Sequence, residues 1–523
     1  MNMYKWFIPL VAALVLVPIG QSCTNLDEEL FDSVTEDNFF ENDEQLASSL
    51  GSAYSALGSY GGNVDIYPLQ EVSSDAIVVP TRGQDWDDGG HWRRLHQHQY
   101  NFEDPIISNG WSNFFGGVND CNRLIFQFEN LDIPEEEKAA VLAELRTMRA
   151  LYYLWLLDHY RRVPIVTRFD VEPDFQPPNN TGDEVYNFIE TEVLEALPDL
   201  SEEVGQATYA RATKWVGHMI LANLYLNAEV YTGTPQWQKA ADQAKAVMDS
   251  GKFTLATDYF ENFNVENSGS PEFIMAIPYD EVFFQGFNLN MMTLSYLNQQ
   301  TYNLQAQPWN GFCTVEEFYN SYEDDDLRKG KPNTEDGPSA VRGNFLVGPQ
   351  FSSSGERLVD DGAEESDPDG PEYTFTPFIN ELGPNAWRQS GARVAKFEYE
   401  LGGTQHMSND FPIFRLAETW MIRAEALWRL DAGNSEALQL VNGIRARAGV
   451  DPFSSLTEEN LLAEWGREFF SEAKRRSQLI RFDKYGDSWW EKPASEEYRE
   501  IFPIPRGQLD ANKSLTQNPG YQS

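Results

Sequence analysis

Two stretches of this chain set flat aromatic rings among side chains that both give and accept hydrogen bonds. The first holds Asp75, Arg82, Asp85, Trp86 and Trp92, with glycines at 83, 89 and 90 that let the backbone turn sharply. Trp86 stands between Asp85 on one side and Asp87 and Asp88 on the other, an unusual setting for a core tryptophan. The second holds Tyr296, Tyr302 and Trp309 among the amides of Asn298, Gln299, Gln300, Asn303, Gln305, Gln307 and Asn310. Each amide offers two donors and an acceptor. Rings flanked this way suit a ligand with apolar C–H faces and many hydroxyls, which is the description of a sugar. Trp86, Trp92, Tyr302 and Trp309 are the expected stacking rings, and Asp75, Arg82 and Asp85 the expected polar partners. Trp111 and Trp387 rank behind them. The opposing reading makes Trp86 a pin that holds its own loop, and makes Trp92 a small core with Leu95 and Tyr100.

Other chemistries find less support. A glycoside hydrolase needs two carboxylates at a set spacing, and with 82 acidic residues such pairs arise by chance. The sequence contains no nucleophile elbow, phosphate loop or HExxH pattern. His91, His96 and His98 are clustered, but their spacing matches no metal-ligand pattern, so neither a metal nor any other cofactor is expected. Cys121 and Cys313, distant in sequence and set among apolar residues, read as buried thiols.

Helices must carry these loops. Leu145, Met148, Tyr152, Trp155 and His159 form one helical face, closed by Pro164. Trp215, Met219, Ala222 and Leu226 line a second helix. Trp237, Ala240, Ala241, Ala244 and Val247 line a third that stops at Gly251, and Tyr231 to Pro235 supplies the turn between these two. A helix, a short turn and an alanine-rich partner form the unit of a tetratricopeptide repeat. The pattern returns at Ala417, Trp420, Met421, Ala424, Leu427 and Trp428, then at Leu438, Val441 and Ile444. Thr457 caps a last helix. The expected fold is mostly α: a tetratricopeptide-type scaffold in two groups, about 42–250 and 411–485. Two loop-rich excursions, about 60–112 and 253–410, form the ligand-binding face. The scaffold aromatics read as core.

The whole chain of 523 residues carries a formal charge of −43, a field that disfavours nucleic acid and anionic lipid as ligands. Its start differs in character: Lys5, an apolar run from Trp6 to Pro18, then Ile19-Gly-Gln-Ser-Cys23. That order describes a lipoprotein signal peptide over residues 1–22, with Cys23 as the lipidated first residue of a mature chain 23–523.

Several segments then resemble one family. Arg149 to Val166, Ala222 to Gly233, Asp410 to Ala426, Val441 to Gly449, Ile501-Phe-Pro-Ile-Pro505 and Gln517-Asn-Pro-Gly-Tyr521 are similar, in order, to the SusD/RagB proteins. The chain departs from that pattern at Arg161 or Arg162, where the family usually has glycine, and at Glu464-Trp465 and Gln478-Leu479 in the last helix. Glu468, Glu472, Arg475 and Arg481 keep the rest of the charge pattern, and they read as structural pairs. The resemblance implies an outer-membrane lipoprotein exposed at the cell surface. Such a protein captures a glycan and passes it to a SusC-like, TonB-dependent transporter without catalysing a reaction. A neutral glycan, such as a glucan, suits the acidic charge. Capture of peptides belongs to some members of the same family and stays as the alternative.

Overall fold

A computed structural model describes residues 43–522. The signal segment 1–22 and Cys23 lie outside the described residues. The chain divides into Met1–Ser49 and Leu50–Ser523, and the fold that follows is that of the second unit.

Helices follow the apolar periods. They are α1 (Pro105–Glu129), α2 (Glu135–Tyr160), α3 (Gly182–Ala196), α4 (Lys214–Leu226) and α5 (Trp237–Asp249). After a long interval come α6 (Leu416–Leu430), α7 (Ser435–Arg447), α8 (Glu458–Phe469) and α9 (Arg475–Arg481). Local chemistry sets their starts. Thr181 and Glu184 form a reciprocal capping box on α3, and Thr457 and Asn460 do the same on α8, where the sequence placed the cap.

Each helix from α1 to α8 packs against the next. The two sequence groups are therefore one stack in space, because α5 of the first packs on α6 of the second. Small residues permit that approach: Ala240, Ala241 and Ala244 on α5, and Ala417 and Ala424 on α6, are fully buried. Arg423 of α6 donates to the Ala241 carbonyl at 2.9 Å across the junction.

The second excursion leaves this stack through a narrow neck. Strands β2 (Phe273–Ile277) and β4 (Phe411–Arg415) pair antiparallel, so its two ends lie side by side. A second pair, β1 (Ile77–Val78) with β3 (Cys313–Thr314), fastens the first excursion to the second. The first excursion is less irregular than its composition suggests. It contains short helices at Ile66–Glu71 and His91–His96, and its last residues are the opening turns of α1. The last helix, expected as one, is two: Ser471 and Ala473 adopt φ of 62° and 55° between α8 and α9, which breaks the helical run. Cys121 and Cys313 are buried free thiols.

Charge is concentrated beneath the neck. Arg415 pairs with Glu272 at 3.2 Å and with Glu468 and Glu472 at 2.7 Å, and all four side chains are fully buried. Arg447 joins Glu272 and Glu468, Lys396 holds Glu472, and Arg328 bridges Asp326, Glu464 and Glu468. Burial alone would raise the Glu464 carboxyl, but the charges of Arg328 and Arg467 hold it down at about 2. Glu468 and Glu472 thus act as structural partners. Glu464 joins the same cluster, while Trp465, where the family pattern has a charged partner, is buried.

Candidate functional site

The loops bearing Trp86, Trp309 and Trp387 meet at one guanidinium. Arg82, 7% exposed, donates through Nε to the Trp387 carbonyl at 3.0 Å and through Nη1 to the carbonyls of Asn310 and Gly311 at 2.8 and 3.0 Å. Its Nη2 reaches the Ser390 carbonyl at 3.0 Å. Every strong partner is a backbone oxygen. Arg82 is therefore a clip between loops and has no donor left for a ligand, which corrects its expected role. Arg393 lies beside it, also donating to carbonyls (Ser390 and Gly391) and to the Asn310 side chain. Burial, with the nearby Arg82 charge, pushes the Arg393 guanidinium down to about 10.

Above the clip stands an aromatic group. The Trp86 ring meets Trp92 at 5.4 Å and Phe312 at 5.5 Å edge to face, and lies 6.3 Å from Trp309. Its Nε1 donates to the Trp309 carbonyl at 2.7 Å. A Cβ on Gly311 would run into the indole, so only glycine allows this contact. Trp86 and Trp309 remain half-buried. Trp86 is thus fixed by packing while keeping an open surface. Its acidic neighbours, an unusual setting for a core tryptophan, do not keep the ring from packing on Trp92 and Phe312.

The remaining expected residues divide. Trp92 is 1% exposed; its Nε1 donates to Asp88 at 2.8 Å and its ring sits under Trp86, so it cannot stack on a ligand. It is packed among the rings of Trp86, His91 and Phe312. Asp75 is bound at both oxygens by Arg475, at 2.7 and 2.8 Å, and serves to hold α9 to the first excursion. Asp85 is exposed at a tight turn with Arg82, and it is free to accept hydrogen bonds. Tyr302 is half-exposed but packs on Tyr399 at 5.4 Å, on a segment outside the loops that Arg82 ties. The histidines point apart: His96 bonds the Trp490 carbonyl and His98 the Ser73 carbonyl. Burial lowers His96 to about 4. Among the described residues no cluster of His, Cys, Asp and Glu is placed to hold a metal.

A polar wall lies beside Trp387 and joins Tyr296 to Asp360, Arg388 and Asp369, three residues that the sequence did not mark. Tyr296 donates to Asp360 at 2.7 Å, and Arg388 pairs with Asp360 and, at 3.2 Å, with Asp369. Burial would raise the Asp360 carboxyl, but hydrogen bonds from Tyr296 and the Gly362 N–H, with the Arg388 charge, leave it below its ordinary value. Asp360 and Asp369 lie in an acidic run that reads as a solvated loop, and nothing local marks them as partners of an arginine 28 and 19 residues away.

The model of the SusD family matches residues 271–521, and a second, described as "Starch-binding associating with outer membrane", matches residues 26–226. The chain belongs to the SusD family. The starch-binding protein SusD of Bacteroides thetaiotaomicron is 28% identical over 416 residues, which cover 73% of this chain and 72% of that protein. A laminarin-binding SusD-like protein superposes with a TM-score of 0.73 at 21% identity, covering 92% of this chain and all of that one. A surface glycan-binding protein A from Bacteroides thetaiotaomicron, solved with laminarihexaose, gives a TM-score of 0.71 at 20% identity over 91% of this chain and 99% of its own. SusD family membership makes this a binding protein of an outer-membrane-associated family, and the hydrolase reading falls away. No helix among the described residues is long and apolar enough to cross a membrane.

Proposed function

We propose that this SusD-family protein captures a neutral glucan on the surface formed by Trp86, Trp309 and the exposed Asp85. One observation carries the reading. Two half-buried tryptophans on different loops are locked with their rings 6.3 Å apart by an indole-to-carbonyl bond and by Arg82. Rings fixed before the ligand arrives lose little entropy on binding, which favours affinity. The starch and laminarin named for the relatives are both glucans, and the chain's acidity suits an uncharged one. Delivery to a SusC-like TonB-dependent transporter, and anchoring through lipid on Cys23, complete the proposal.

Calorimetry with starch-derived and laminarin-derived oligosaccharides tests it. Trp309→Ala and Trp86→Ala should each weaken binding by about 1–3 kcal/mol, the range for a central aromatic anchor. Trp86→Ala should also lower stability, because its ring packs on Trp92 and Phe312. Binding of peptides with no binding of either glucan would shift the reading to peptide capture. Cys23→Ala should release the protein from membranes, and mild detergent extraction should recover it with its transporter.

A further inference from the structure

We propose that a second sugar subsite lies in the cleft beside Trp387, so that long neutral glycans bind across both positions; this rests on the glucan reading of the Trp86–Trp309 surface. The cleft measures about 540 Å³, within the range of small-ligand sites. Trp387, Pro371, Thr374, Thr376, Glu372 and Ser390 are among its lining residues. Trp387 is half-exposed and its plane is set. Phe378 meets it at 5.9 Å and 61°, its N–H donates to the Asn380 side chain at 2.8 Å, and its carbonyl accepts from Arg82 and the Ser390 hydroxyl. The facing wall is also fixed, since Gln389 donates to the carbonyls of Asp369 and Gly370 at 2.8 and 3.2 Å.

The chemistry of the lining selects the ligand. No Lys or Arg lines the cleft, whereas Glu365, Asp369 and Glu372 do. Arg388, just behind it, is occupied by Asp360 and Asp369. Glu365 and Glu372 are exposed and make no ion pair among the described residues. Carboxylates of this kind accept from the hydroxyls of a neutral sugar, and they repel a uronate or sulfate. An indole face beside them supplies the stacking surface. Position links the cleft to the first surface, because the one guanidinium of Arg82 bonds both the Trp387 and the Asn310 carbonyls. A glycan chain long enough to fill both positions gains from the second at high effective concentration.

A length-graded series of neutral gluco-oligosaccharides, measured by calorimetry, tests this. Wild-type affinity should rise with length. Trp387→Ala should remove that rise, weakening the longest members roughly tenfold while leaving the shortest unchanged. Glu372→Gln, at an exposed position that folding does not depend on, should weaken the long members roughly threefold and decides the matter should Trp387→Ala unfold. A length dependence intact in both variants overturns the subsite. Trp309→Ala reports separately on the first surface. If it changes nothing while Trp387→Ala weakens every member, the Trp86–Trp309 placement fails and the cleft stands. No binding of any member by the wild type overturns both.

Discussion

The scaffold and the two loop-rich excursions hold their arginines in opposite ways. Beneath the neck, Arg415 is surrounded by Glu272, Glu468 and Glu472, each fully buried. Under the tryptophans, Arg82 and Arg393 are also buried but bond chiefly backbone carbonyls, with no carboxylate partner. Removing one ion from the first arrangement strands others. Removing one from the second frees loops. An ionic cluster suits a junction that must not move, whereas a carbonyl clip sets the relative position of three loops and leaves their side chains free to meet a ligand. The tryptophans follow the same division. Trp465 on α8 is closed in the core, while Trp86, Trp309 and Trp387 keep open surface.

The largest expected effect separates these two arrangements. Arg415→Ala leaves buried carboxylates uncompensated and should cost about 3–5 kcal/mol of unfolding free energy, read by denaturant titration. Arg82→Ala should cost roughly 1–3 kcal/mol, the penalty of orphaned buried acceptors, yet reduce glucan affinity more than Arg415→Ala does in the folded fraction. Equal loss of affinity in the two variants would break the comparison, for the clip would then be no more local than the cluster.

Next in size is the response to pH. Glu71 is fully buried, and burial raises its carboxyl to about 7 despite hydrogen bonds from the Lys474 and Ala473 N–H groups. Asp410, at the neck, is raised to about 6, first by burial and then by repulsion from Glu266, while Tyr209 opposes. A carboxyl raised on folding contributes stability that is full below its unfolded value and lost as pH climbs through its folded value. Stability should therefore fall between about pH 4.5 and pH 7. Glu464, held at about 2, contributes in the other sense, and its share is lost only as pH falls below the ordinary carboxylate range. Glu71→Gln should flatten the neutral limb of a thermal unfolding series from pH 4 to pH 8. A slope unchanged in that variant would assign the limb to Asp410 and to the general repulsion of a chain at −43.

How much of this was legible in the sequence follows from what each feature depends on. The helices are local, so period and caps place them, down to Thr457 and its box. The joining of α5 to α6 is not local: residues 250–415 separate them, and only packing shows the stack to be continuous. In the site, Trp86 is readable from its acidic neighbours. Yet Asp87 is taken by Arg93 and Asp88 by Trp92, so only Asp85 of the three is free. Arg82 resembles a ligand contact because a solvated loop and an arginine clip have the same composition. What distinguishes them is which carbonyls lie within reach, and those come from residues 310, 311, 387 and 390.

The smallest expected effect tests the one strained residue that the family comparison marks. Arg161 ends α2 at φ of 59°, where SusD/RagB proteins usually carry glycine at this residue or the next. A side chain there costs about 1–3 kcal/mol of backbone strain. Arg161 recovers part of it by lying 4.5 Å over the Tyr231 ring, a contact worth roughly 0.5–2 kcal/mol. Burial lowers its guanidinium below the ordinary value, and its buried Nη1 finds no protein partner, so the charge itself is poorly housed. Arg161→Gly relieves the strain and removes the poorly housed charge, but it loses the ring contact and gives the unfolded chain more freedom. The balance favours glycine by roughly 1 kcal/mol, a small rise in the denaturant midpoint with no change in glucan affinity. A fall in the midpoint would mean that the Tyr231 contact outweighs the strain. The arginine would then be a stabilising member of the scaffold, paired with a ring where Arg415 is paired with carboxylates.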